Sequence, residues 1–293
     1  MIFRTSTAAA LTGCCLVFAT MPGSSAGADS TGTQAVLSKS SDSTAAAAKS
    51  TEPGVIRNGY VTYQEDPNAC YNHEVSGHFT LVAGERGSIA QLFYGVTYDG
   101  KEAAFRHEEG VGPQPDGFDE KTTQSSESRR ITTEVRTSDG AIVVRTESAV
   151  GKGPYVTRQM KVTNTGKSRL AEVKLLLTAN LDTLDWENET GQVDAKAGQV
   201  LINNSAKTEW VGLAAQPKPA YLTADDVMYI LGEAGSDWSR PSLSYTGNVA
   251  VQAGWEVGPL EPGQSKTVEA TFGTAENEND LKKALTRQAF PEK

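Results

Sequence analysis

Cysteine is almost missing from this chain. Only Cys14, Cys15 and Cys70 occur among 293 residues. The first two fall in an apolar leader, so Cys70 alone remains after it and no internal structural disulfide can form. A single such thiol reads first as a small buried apolar group. Long apolar runs are missing too, the longest being about 14 residues near the N-terminus, too short to span a bilayer as a helix. Basic residues are in deficit, 27 Lys and Arg against 36 Asp and Glu, for a net charge of −9. With no Lys/Arg cluster, phosphate-backbone binding and hence nucleic acid are excluded as a partner class. Histidine occurs three times, and no G-x-S-x-G elbow, Walker loop or dinucleotide fingerprint is present. What remains, 38% hydrophobic and 22% charged residues, suits a globular domain and excludes a multi-span membrane protein or a wholly disordered chain.

The N-terminus has the layout of a secretory signal peptide over residues 1–28. Arg4 supplies the charge, residues 8–21 the apolar region, and Ala26-Gly27-Ala28 the small-residue cleavage site. Export to the extracellular space follows as the expectation. Leu11-Thr12-Gly13-Cys14 offers a lipobox-like alternative, with lipid anchoring through Cys14, although the apolar stretch continues beyond that Cys. Residues 29–57 are rich in Ser, Thr and Ala, with Val36, Leu37, Val55 and Ile56 as their only large aliphatics. That is too little to offset the entropy of ordering, so the segment reads as a tether. Residues 58–293 are expected to form one domain.

From residue 58 the pattern is short alternating segments separated by turn residues. Arg130 to Arg136 alternates, turns through Ser138-Asp139-Gly140, and returns over residues 141–146; residues 91–98 turn at Asp99-Gly100. Asp-Gly between alternating runs is a strong hairpin signal. Further strands are expected at 77–82, 154–164, 171–178, 209–215, 227–231, 248–257 and 266–272. Residues 110–128 read as a long loop inserted in the sandwich. Helical periodicity is confined to residues 278–289, with Asn277 or Asn279 as cap and Leu281 and Leu285 on one face. The expected fold is mostly β: a large antiparallel β-sandwich with a short C-terminal helix. Two immunoglobulin-like modules meeting near residue 165 are the alternative.

Three segments carry a resemblance. Residues 154–166 form a strand ending in Asn164-Thr165-Gly166, followed by the aliphatic strand 173–177. Then come Trp210-Val211-Gly212-Leu213-Ala214-Ala215 and, near the end, Leu260-Glu261-Pro262-Gly263-Gln264-Ser265. This order resembles the β-supersandwich of galactose-mutarotase-like proteins, in particular the non-catalytic N-terminal domain of bacterial glucoamylase-type enzymes. The resemblance implies carbohydrate as the partner. It does not carry over catalytic residues: Asn72-His73 matches a mutarotase dipeptide without the partners expected around it.

The residues themselves point to one acidic-aromatic run, residues 180–190, which follows a strand and belongs at one end of the sandwich. A pyranose needs an aromatic face for its apolar side and carboxylates or amides for its hydroxyls. Trp186 with Asp182, Asp185 and Glu187 supplies both, and Trp238 beside Asp237 is a second aromatic candidate; Trp210 is a weaker one, and Trp255 reads as core. Asp182 and Asp185 are also hard-oxygen donors of the kind that bind Ca²⁺, without the D-x-D-x-D-G loop. His73-Glu74-Val75-Ser76-Gly77-His78 has the wrong interval for a zinc protease, since five residues do not share a helix face. No catalytic residue, metal or cofactor is therefore assigned. The expectation is a secreted, non-catalytic carbohydrate-binding sandwich. A glycan-active enzyme and an adhesion module on the same scaffold are the alternatives.

Overall fold

The computed structural model describes residues 54–64, 78–81, 88–108, 112–119, 123–127, 129–232, 241–287 and 290. The leader, most of the tether, Cys70, His73 and Trp238 lie outside the described residues.

Two antiparallel sheets carry the described fold. The larger has nine strands in the order β16 (Ser244–Gly247), β12 (Glu189–Asp194), β13 (Gln199–Asn203), β14 (Trp210–Gln216), β18 (Ser265–Ala275), β10 (Tyr155–Asn164), β9 (Ile142–Val150), β8 (Arg130–Arg136) and β7 (Thr123–Glu127). The smaller has six, in the order β15 (Tyr221–Asp226), β17 (Val249–Glu256), β11 (Val173–Asp182), β4 (Ser88–Tyr98), β5 (Lys101–Glu108) and β6 (Gly112–Asp116). A third sheet, β1 (Val55–Arg57), β2 (Val61–Gln64) and β3 (His78–Leu81), adds Ile56, Val61 and Tyr63 to the same core. Each large sheet runs continuously from strands of the first chain half to strands of the second, joined at one seam: β10 pairs with β18 in the larger sheet and β4 with β11 in the smaller.

Alternation explains which residues enter the core. Along β11, Leu175, Leu177, Ala179 and Leu181 are buried between the sheets, and β17 answers with Val249, Val251, Ala253 and Trp255. Each buried Leu or Val contributes about 1.5–3 kcal/mol of transfer free energy, so this row is a large share of the driving force. Both Asp-Gly hairpins form as the sequence indicates, with Asp99, Gly100 and Gly140 at positive φ. Asp139 in the second turn also ties the sheets together: it accepts from Tyr98 Oη at 3.0 Å, Lys101 Nζ at 2.7 Å and Thr137 Oγ1 at 2.9 Å.

The structure departs from the sequence reading in three stretches. Residues 55–57, expected to belong to the tether, form β1, because Ile56 packs into the sandwich core. Residues 227–231, expected as a strand, begin the helix α1 (Val227–Gly232). Asp226 stops β15 there by accepting from the backbone N–H of Met228 and Tyr229, the N-cap bond that starts a helix. Burial follows the helical interval, with Val227 and Ile230 inside and Met228 and Tyr229 exposed. Residues 110–128, expected as a long loop, contain β6 and β7, the edge strands of the two sheets. The C-terminal helix α2 (Glu278–Leu285) is capped by Asn277, which accepts from Asp280 N at 3.0 Å. Leu281 and Leu285 pack with Leu201, Trp210 and Ala214 on the outer face of the nine-stranded sheet, which buries Trp210 and removes it as a sugar platform.

Candidate functional site

The acidic-aromatic run occupies the connection between the two sheets, where β11 ends and β12 begins. Asp182 is the last residue of β11, and residues 186–188 form a single 3-10 turn, Trp186–Asn188. Asp185 precedes that turn and holds it: its Oδ1 accepts from Asn188 Nδ2 at 2.9 Å and its Oδ2 from Ser205 Oγ at 2.8 Å. These bonds hold the Asp185 carboxyl below the usual carboxylate range. With its backbone so fixed, the turn presents Trp186 outward at 47% exposure and Glu187 beside it. The other two described tryptophans, Trp210 and Trp255, are buried. Leu184, Asp185, Asn204, Thr208 and Glu209 line an open depression of about 310 Å³ next to the turn.

Beneath the loop lies a carboxylate pair that sequence reasoning only half identified. Asp182 is mostly buried, and its Oδ1 has no hydrogen-bond partner. Burial pushes its carboxyl up to about 6. Glu189, the first residue of β12, is fully buried at 0% exposure. Its Oε1 accepts a short hydrogen bond from Thr183 N, and its Oε2 accepts from Val249 N at 3.4 Å. Burial pushes the Glu189 carboxyl up to about 8; the Thr183 bonds oppose the rise and the neighbouring Asp182 charge adds to it. Glu189 thus clamps the start of the Trp186 loop to the beginning of β17. Glu209, also buried, accepts from Leu184 N at 3.1 Å and fixes the loop's other shoulder.

Of the residues proposed from sequence, Asp182, Asp185, Trp186 and Glu187 therefore share one loop but not one surface. Trp186 and Glu187 face out, Asp185 braces the turn, and Asp182 lies below. Glu189 went unnoticed because a buried acid and a solvated acid look alike in a run of acids, and Glu209 because its partner, Leu184 N, lies 25 residues away. In the folded chain Glu189 and Gly191 are the buried positions at the start of β12, an inward-facing pair at strand spacing. Among the described residues no group of three or more His, Cys, Asp or Glu side chains comes together as a metal centre. His78 and His107 fall on β3 and β5, strands of different sheets.

No family model matches the chain, and no curated protein matches it either. Solved structures do. A bacterial glucoamylase complexed with acarbose is similar over 78% of this chain at 10% identity and a TM-score of 0.54. A putative aldose 1-epimerase from Escherichia coli K12 aligns with 76% of this chain and 99% of its own at 10% identity and a TM-score of 0.48. A GalM/aldose epimerase homologue from C. elegans aligns with 78% of this chain and 100% of its own at 9% identity and a TM-score of 0.47. The chain spans about a third, 32%, of the glucoamylase. At such identities the likeness is one of fold alone: a β-sandwich similar to a part of the bacterial glucoamylase.

Proposed function

We propose that this protein is an exported, non-catalytic carbohydrate-binding β-sandwich whose sugar-stacking surface is Trp186. One observation carries the reading: a half-exposed indole on a turn pre-organised by Asp185, beside the polar depression of Asn204, Thr208 and Glu209. A rigid aromatic face binds the apolar side of a sugar ring at little entropic cost, and the adjacent carboxylates and amides suit its hydroxyls. The sandwich's likeness to carbohydrate-active proteins supports the same partner class. The signal-peptide layout of residues 1–28 supports export, and the Ser/Thr/Ala-rich composition ahead of β1 supports a spacer between the surface and the sandwich.

A glycan-active enzyme is the second reading, favoured by the adjacent acids Asp182 and Glu189. Glycoside hydrolysis needs two carboxyl groups flanking an accessible bond. Glu189 is fully buried with both oxygens engaged by backbone N–H groups, which supports a structural duty instead. The test is a polysaccharide and oligosaccharide array with reducing-end release measured in parallel. Binding without release, weakened at least about fivefold by Trp186→Ala (a loss on the order of 1 kcal/mol), is the expected result. Release of reducing ends would establish the enzyme reading. Silence in both assays would leave an adhesion role and refute the proposal.

A further inference from the structure

Asn180 and Asp182 alternate with the core residues Ala179 and Leu181, so both lie on the outer face of the six-stranded sheet. Asn180 stands opposite Ala250 in the β11–β17 register. Two residues further along β11 is Asp182, and two residues before Ala250 is Asn248, so both fall at the same end of the same strand pair. Each of these three side chains has a buried oxygen without a hydrogen-bond partner: Asn180 Oδ1, Asp182 Oδ1 and Asn248 Oδ1. Asn180 itself is only 9% exposed. Immediately behind them, Glu189 bonds the N–H of Val249, the residue after Asn248. Val227 and Ile230 of α1 close over Ala250 from the outer side.

Buried acceptors left unpaired cost free energy, and a native fold keeps three together only where something satisfies them. All three orphans here are oxygens, from one carboxylate and two amides. The atoms left unpaired are acceptor oxygens alone, and one hard cation satisfies several such oxygens at once, where a hydroxyl ligand would need a proton for each. We propose that this end of β11 and β17 is a divalent-cation site of calcium type, with Asp182, Asn180 and Asn248 as side-chain donors. Calcium accepts six to eight oxygen ligands in flexible geometry, including amide carbonyls and waters, whereas magnesium demands a near-ideal octahedron. Bound there, the ion joins the last turn of β11 to the first of β17. That is the base from which the Trp186 loop rises, so cation binding stiffens the platform without touching it. The inference stands on the orphaned oxygens and is independent of whether Trp186 binds sugar.

The experiment is thermal unfolding of the purified protein, first stripped with EDTA. It is then returned to about 5 mM CaCl₂ or MgCl₂, or to NaCl of matched ionic strength, the concentration lying above the weak dissociation constants of extracellular calcium modules. The expected result is a rise in Tm of several degrees in calcium, a smaller one in magnesium and none in sodium. Calorimetric titration should give one calcium per chain. Asp182→Asn keeps the volume and removes a buried charge, so it should fold at least as stably in EDTA while losing the calcium shift. Asn248→Ala should reduce the shift as well. Equal Tm values in calcium and sodium would overturn the proposal. So would a calcium shift that Asp182→Asn leaves intact, which would place the ion elsewhere on this acidic surface.

Discussion

Replacing Glu189 by Gln should flatten this protein's loss of stability as pH rises through neutrality. In the folded state burial holds the Glu189 proton up to about pH 8, against an ordinary value of 4.5. Between those pH values the folded chain binds a proton that the unfolded chain has released, so stability falls as pH rises through this window. At about 1.4 kcal/mol per pH unit, the interval from 4.5 to about 8 costs on the order of 3–5 kcal/mol once the group ionises. Asp182, raised from 3.8 to about 6, acts in the same direction at lower pH. Glu189→Gln abolishes the first titration at constant volume. Its amide can still accept from Thr183 N, but its NH₂ cannot accept from Val249 N, a bond already long at 3.4 Å. The variant should therefore be less stable than the parent by about 1 kcal/mol at pH 5 and more stable by a few kcal/mol at pH 9. Urea unfolding from pH 5 to 9, at constant ionic strength and in EDTA, reads both numbers. Two stability curves that run parallel, without crossing, would refute the assignment of a buried, protonated Glu189.

Asp139 should behave in the opposite sense. Burial would raise its carboxyl, but bonds from Lys101, Ala141 N, Thr137 and Tyr98 hold it well below the usual range. Its contribution is therefore present above about pH 4 and lost in acid. Asp139→Asn should lower Tm at pH 7, and the gap to the parent should narrow steadily as pH falls from 4 towards 2, as followed by circular dichroism. Leu281→Ala, removing a side chain at 0% exposure between α2 and the nine-stranded sheet, should cost about 2–4 kcal/mol in chemical denaturation. Asn277→Ala, which deletes the cap of α2, should cost about 1 kcal/mol in the same assay. Gly212→Ala should destabilise by about 1–3 kcal/mol, because a Cβ there would stand 2.5 Å from the Val200 carbonyl oxygen.

Local chemistry was written plainly enough in the residues for much of this fold to be read without coordinates. Two Asp-Gly turns, alternation at residues 130–136 and 154–164, and the Leu281–Leu285 pair indicated hairpins, sandwich strands and the C-terminal helix, because each depends on neighbours within a few positions. The reading failed where the decisive partner was close but ambiguous, or far away. Val227-Met228-Tyr229-Ile230 is as apolar as a strand, and only the Asp226 cap and the burial of Val227 and Ile230 make it helical. The candidate site divides in the same way. Composition alone drew attention to the run around Trp186, since aromatic and acidic residues there adjoin in sequence. Which acids face water was decided by the tertiary structure: Glu189 is buried because β17 supplies the Val249 N–H 60 residues away. Asn180, Asp182 and Asn248 come together only through an antiparallel register, a relation between strands that no local pattern encodes.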